Sequence, residues 1–276
     1  MDVASYAEAC AADGLRGDYS ACRPDFTVEQ DYGAYGAEDH AVWRALFERQ
    51  SQLAAEMAHP SFLDGLRNLN VGDRIPDFDQ VNAELHQRTG WTLVGVPGLI
   101  PADAFFKHLA ARRFPTTNWI RSADEFDYIV EPDLFHDFFG HVPLLSLPVF
   151  ADFMQLYGAT GQRAIAAGNV EPVTRLYWYT AEYGLIREAG GPLKAYGAGL
   201  MSSAGELPHA VHGPGVRRRP AVLADIVRTS YEIDKYQRVY FVLDSFEALF
   251  QALQSDDLDA VLSAAAKEPA VDPATR

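Results

Sequence analysis

Cysteine is scarce: only Cys10 and Cys22 occur in 276 residues. A secreted disulfide scaffold carries more, so both are read as free thiols in a reducing compartment. No stretch approaches the ~20 apolar residues that a membrane span needs. The opening MDVASYAEACAADG lacks the charged-then-apolar form of a signal peptide. The expectation is a cytoplasmic protein. Basic residues are also in deficit, with 23 Lys and Arg against 38 Asp and Glu and a formal net charge of −15. Such a surface repels nucleic acid and anionic membrane, which excludes both as partners. The short run Arg217, Arg218, Arg219 is then a solvated loop. Internal repeats and low-complexity tracts are missing. So are the nucleophile-elbow, phosphate-loop and dinucleotide fingerprints.

Apolar residues are plentiful, at 48%, enough for a sizeable core, and no linker-like break divides the chain. One domain over residues 31–267 is expected. Residues 1–30, polar and mixed in period, are read as wrapping the surface or partly disordered. Residues 268–276 are read as a loose tail. Val42, Trp43, Leu46, Phe47, Leu53 and Met57 recur at three- and four-residue spacing, which predicts an amphipathic helix over 38–57. A shorter helix follows near 62–69. Asp77, with Gln80 three residues on, caps another that closes at Gly90. Residues 91–96 read as a strand, and Pro101 opens a helix to about residue 112. Residues 117–121 and 126–130 lean towards β. A long helix is expected over 149–167, and Gly168-Asn169 separates it from the helix bearing Glu182. The glycine- and serine-rich stretch 193–206 reads as a loop. Helices are expected at 221–228, 246–253 and 258–265, with a strand at 239–243. The fold class is mainly α with a few short β-strands.

The chemistry is concentrated in residues 131–145, EPDLFHDFFGHVPLL. His136 and His141 stand five apart, with Glu131, Asp133 and Asp137 close by. Imidazole and carboxylate suit iron, zinc and similar divalent ions, and Phe135, Phe138 and Phe139 would keep water from such a site. On a regular helix, residues five apart point roughly 140° away from each other. Gly140 and Pro143 supply a stop signal, so a helix over 132–139 is expected to end at Gly140, leaving His141 free to swing back. By spacing alone, two unrelated histidines are the commoner reading, and the zinc-protease pattern HExxH is not matched. A third donor lies 41 residues beyond His141, in RLYWYTAEYGLIREAGG. Glu182 sits there among Leu176, Tyr177, Trp178, Tyr179, Tyr183, Leu185 and Ile186. A carboxylate in such company costs several kcal/mol unless it is paired or metal-bound. Glu188 and Arg187 fit a helix surface better.

Taken together, EPDLFHDFFGHVPLL, YWYTAEYGLI and KAYGAGLMSSAGEL resemble the three motifs of the tetrahydropterin-dependent aromatic amino acid hydroxylases, from about residue 31 to residue 250. The resemblance is to the single-domain bacterial branch that acts on phenylalanine. It implies a compact helical catalytic domain with a shallow basin. It also implies one non-haem iron(II) on His136, His141 and Glu182, a facial triad that leaves positions open for oxygen. The tetrahydropterin would lie against VPGLIPADAFF, with Gly98 and Ile100 touching it through backbone and Phe105 stacking on its ring. Asp137 stands where animal members carry glutamate, and its carboxylate is expected to face a pterin N–H, through water if need be.

By the same resemblance Arg121 pairs with the substrate carboxylate, Trp178 and Phe135 wall its ring, and Ser202 holds its backbone. Val130 replaces the proline of animal members, which leaves the shape of the pocket open. The reaction implied is O2-dependent hydroxylation of L-phenylalanine to L-tyrosine with a reduced pterin as electron donor. Rival readings are another ring position, tyrosine or tryptophan as substrate, a zinc hydrolase on the same ligands, and a non-catalytic helical binding protein. His209 and His212, three apart with no third donor, are read as surface histidines. With no heptad run closing the chain, and with Pro269 and Pro273 in the tail, a monomer is expected.

Overall fold

The apolar stripe through Trp43 and Leu46 does what its spacing predicts. In the computed structural model, which describes residues 2–69 and 71–274, it lies on a 21-residue helix that packs both residues into the core. In chain order, α1 (Val3–Ala12) precedes this helix, α2 (Ala37–Met57), and α3 (Pro60–Leu69) and α4 (Phe78–Thr89) follow it. Asp77 caps α4 through the N–H of Asp79, and Gly90 closes it in the left-handed conformation, φ 74°. Next come β1 (Thr92–Val96), α5 (Ala102–Ala110) and β2 (Arg113–Thr117). β1 and β2 pair in parallel, Thr92 opposite Arg113 through Val96 opposite Thr117. The β-leaning stretch at 117–121 therefore belongs four residues earlier. Pro115 sits inside β2, which a two-stranded sheet tolerates because the far edge of the strand needs no N–H donor. Residues 126–130 form no strand. Tyr128 and Val130 are exposed there, and no partner edge lies alongside.

The expected stop at Gly140 does not occur. A helix runs unbroken over residues 134–145, and its middle, His136–His141, is wound as a π turn that passes into α6 (Val142–Leu145). Here the backbone bonds i to i+5, so residues five apart come round to the same side. Gly140 serves a different purpose. A Cβ there would lie 2.8 Å from both the Cβ and the carbonyl oxygen of Ala198. The residue is small so that another helix can lie against the π turn. On the opposite side, Phe135 and Phe139 stack at 4.9 Å, and Phe135 and Phe138 meet the edge of Trp43. Such pairs add about 0.5–1.5 kcal/mol each beyond burial, and they anchor the turn to α2.

α7 (Pro148–Ala166) and α8 (Val170–Tyr177) follow, and α8 runs into a second π turn, Trp178–Glu182. Beyond it are β3 (Leu185–Ile186), β4 (Lys194–Ala195), α9 (Ala198–Ser202), α10 (Glu206–His212), β5 (Arg217–Pro220), α11 (Leu223–Ile226), β6 (Val239–Leu243), α12 (Phe246–Gln254) and α13 (Leu258–Ala266). The stretch 193–206 is thus not a loop. Tyr196, Leu200 and Met201 are fully buried, and the glycines permit close packing rather than flexibility. The arginine run is a strand, β5, parallel to β6 in a sheet ordered β4-β3-β6-β5. The helix expected at 221–228 shrinks to one turn, α11. Within residues 2–30, α1 buries Cys10, and Tyr19, Phe26 and Val28 are buried beyond it. Near the other end, Val271 bridges Thr229.

The Gly140 contact yields a prediction. Glycine to alanine inside an exposed helix ordinarily gains about 0.5–1 kcal/mol. Gly140→Ala should instead lose about 1–3 kcal/mol through overpacking against Ala198, read as a lower urea midpoint with an unchanged m-value.

Candidate metal centre

The two π turns point their last residues at each other. His136, His141 and Glu182 each offer one donor atom, and these atoms lie within 4.8 Å of one another. His141 Nε2 is 3.1 Å from Glu182 Oε1, and His136 Nε2 is 3.6 Å from Oε2. The side chains of His141 and Glu182 are 3% and 12% exposed, and that of His136 is 18% exposed, so the cluster opens on one flank only.

The proton positions on His136 follow from its neighbour. The Ser202 hydroxyl donates to the Ala198 carbonyl at 3.0 Å and lies 2.8 Å from His136 Nδ1. With its proton given to Ala198, the hydroxyl accepts from Nδ1–H, which leaves Nε2 as a bare lone pair facing the carboxylate. Two electron pairs aimed at each other in a dry site call for a cation between them. Among the described residues no lysine or arginine pairs with Glu182. Burial pushes the Glu182 carboxyl upward, but positive charge on the His141 and His136 imidazoles and the Tyr177 hydroxyl outweigh it and draw the group below its ordinary value; a cation held between the three would act in the same sense. Glu182 is an anion at neutral pH. The donor set fits a divalent iron with open positions.

Asp133 is the hub behind the ligands. Its Oδ1 accepts from the His136 backbone N–H at 3.0 Å and from Arg121 Nη2 at 2.9 Å. Its Oδ2 accepts from Arg121 Nε at 2.8 Å and from the Arg121 backbone N–H at 3.0 Å. Burial acts to raise this carboxyl, but the Arg121 guanidinium and these N–H groups hold it below its usual value. Arg121 is 4% exposed. Its Nη1 makes no hydrogen bond to protein among the described residues, and that nitrogen remains for a ligand. In the sequence Asp133 stands out only as an acid near the two histidines. Its place one residue before the helix, accepting from the third residue, was the legible signal.

Asp137 accepts from the Thr117 N–H at 2.7 Å, and burial raises its carboxyl against the opposing pull of the His136 and His141 imidazoles and the Thr117 donor. Phe135, Phe138 and Phe139 are buried in the core described above, and Phe135 also lies beneath the Arg121 guanidinium, 5.8 Å from its carbon. The rings beside His141 are Phe114, at 4.9 Å, and Tyr177, at 6.0 Å. Phe105 meets the edge of Tyr177 at 5.5 Å and keeps part of its ring uncovered. Gly98 and Ile100 lie on the irregular segment before α5. Ser202 is committed to His136 as described.

Trp178 is clamped. Its indole stacks on Tyr231 at 4.2 Å, with Tyr183 at 4.7 Å, and its Nε1 donates to Gln237 Oε1 at 3.0 Å. The Gln237 backbone N–H and the Tyr240 hydroxyl both donate to buried Glu206, at 2.8 and 2.7 Å. No spacing in the sequence points to Gln237, Tyr231 or Glu206, which lie 31 to 59 residues from the partners they bond or stack with in this cluster.

Comparison with known proteins now places the chain. The family model for biopterin-dependent aromatic amino acid hydroxylase matches residues 28–257. The chain belongs to that family. A phenylalanine-4-hydroxylase of Mesorhizobium japonicum is 60% identical over 275 residues, covering 100% of both chains. A tyrosine 3-monooxygenase of Caenorhabditis briggsae is 37% identical over 227 residues, covering 80% of this chain and 43% of that one. The iron- and phenylalanine-bound crystal structure of phenylalanine hydroxylase from Chromobacterium violaceum matches with a TM-score of 0.87 at 44% identity, covering 96% of this chain and 94% of that one.

His141→Ala should lower bound iron from about one equivalent to near none, by metal analysis after anaerobic loading, with the helical circular dichroism kept. Burial lifts the Glu206 carboxyl from 4.5 to about 7, against the pull of the Gln237 and Tyr240 donors. The folded state therefore holds this proton over a range where the unfolded chain releases it, and stability falls as pH rises from about 4.5 to 7, by on the order of 3 kcal/mol. Glu206→Gln should flatten this fall, measured as urea unfolding free energy at pH 4.5 and pH 7.5.

Proposed function

We propose that this chain is an iron(II)- and tetrahydropterin-dependent monooxygenase that uses O2 to hydroxylate L-phenylalanine to L-tyrosine. The observation that carries the reading is the His136, His141 and Glu182 donor set, bare on one flank, in a chain of the aromatic amino acid hydroxylase family. When bound, iron supplies oxygen activation, with the reduced pterin as source of two electrons. The protein supplies position and dryness. His136, held by Ser202, and His141, held between Phe114 and Tyr177, present Nε2 to the metal with Glu182. Arg121, its fork fixed by Asp133, turns Nη1 to the amino acid carboxylate. Trp178, clamped by Gln237 and Tyr231, offers its indole as one wall for the aromatic ring. Phe105 is taken to stack on the pterin ring, with Gly98 and Ile100 contacting the pterin through backbone and the Asp137 carboxylate near its N–H edge.

Phe135 is taken as the other wall for the ring, beside the Arg121 guanidinium, whose carbon lies 5.8 Å from the Phe135 centroid. The catalytic unit is taken as residues 31–267. The same reading has the enzyme act as a cytoplasmic monomer on free small molecules, in keeping with two unpaired thiols and an acidic composition. The zinc hydrolase reading has no support, since the family is one of hydroxylases. Iron-loaded enzyme given phenylalanine, tetrahydrobiopterin and air should form para-tyrosine, with one pterin oxidised per product when coupled. Meta-hydroxylated product, or turnover of tryptophan but not phenylalanine, would assign a different member of the same chemistry.

A further inference from the structure

Residues 16–19 lie before the stretch matched by the family model, yet they touch three segments that carry the site. The Arg16 backbone N–H donates to both carboxylate oxygens of Glu131, at 2.9 and 3.1 Å. Glu131 is buried and stands two residues before Asp133. The Arg16 guanidinium pairs with Glu125 and lies over the Trp119 ring, 5.1 Å from its centroid. Trp119 in turn donates from Nε1 to the Pro97 carbonyl at 2.9 Å. Gly17 backs directly onto the same carbonyl, where a Cβ would fall 2.4 Å from its oxygen. The Tyr19 hydroxyl donates to the Leu99 carbonyl at 2.6 Å. Tyr19 is itself buried, with Tyr6 of α1 edge-on at 5.8 Å.

The carbonyls on either side of Gly98 are thus each held by one side-chain donor, and one of those donors comes from the N-terminal segment. The stretch between β1 and α5 has no regular secondary structure. Left alone, it would have to be ordered by its ligand, at the expense of affinity. We propose that residues 16–19 form a strap completing the pterin site, in which Tyr19 is a positioning residue that fixes the backbone of residues 97–99 for cofactor binding. This rests on the assignment of the pterin to Gly98, Ile100 and Phe105.

The test is Tyr19→Phe in the full-length chain, which removes one hydroxyl and keeps the ring. One uncharged hydrogen bond corresponds to roughly a three- to tenfold effect. The calorimetric Kd of tetrahydrobiopterin, measured without oxygen, should rise by that factor, and the pterin KM should rise with it. The phenylalanine KM, kcat and iron content should stay within twofold. Phe105→Ala serves as the reference for the pterin assignment. If Phe105→Ala weakens pterin binding and Tyr19→Phe does not, the strap is overturned. If neither does, the pterin assignment falls and the strap falls with it. An equal rise in both KM values together with a lowered Tm marks a merely structural role and also overturns the proposal. Should Tyr19→Phe fail to fold, Arg16→Met, which keeps the backbone donor but frees Trp119, carries the same expectation and the same refutation.

Discussion

Lone pairs that face one another across a few ångströms in a largely buried site repel. The chain nevertheless holds His136 Nε2 and the Glu182 carboxylate in that posture. It can do so because neither group is free to turn away. His136 is fastened through Nδ1 to Ser202 and through its backbone to Asp133. Glu182 ends a π turn whose first residue, Trp178, is held between Tyr183 and Tyr231. The strain of assembling such a site is offset by core burial on the far side of the same elements, where the phenylalanines of the first turn meet Trp43.

The π winding is the device that makes this possible. An α-helix would throw His136 and His141 to different sides. One extra residue per turn brings them to the same side with ring centroids 5.4 Å apart. The second π turn does the same service for Glu182. Between the two turns lies α9, admitted to close range by Gly140 and carrying the serine that orients the first ligand. Helix winding, a missing Cβ and a proton position thus form one causal chain from sequence to ligand geometry.

Around this centre the polar groups form two separate relays. Asp133 couples the Arg121 guanidinium, the proposed partner of the substrate carboxylate, to the backbone of His136, so that cation and that imidazole share one buried acid. Glu206 anchors Gln237, which anchors Trp178. Both acids are buried, but they differ in partner. A guanidinium keeps Asp133 charged, whereas Glu206 has only neutral donors and holds its proton to about pH 7.

The amino-acid sequence by itself determined the donors. Histidines at 136 and 141, a carboxylate stranded among aromatics at 182, and three motifs in order were enough to name the ligands and the family. Most long helices were also legible, because burial of one face leaves a 3.6-residue period whatever the partner is. Tertiary structure alone decided the rest. The π turns, the strand at Arg113–Thr117, the helix within 198–202 and the partners of Trp178 and Tyr19 depend on contacts between residues far apart in the chain. Backbone winding and hydrogen-bond pairing of that kind follow from what packs alongside, and a linear pattern carries no record of its neighbours in space.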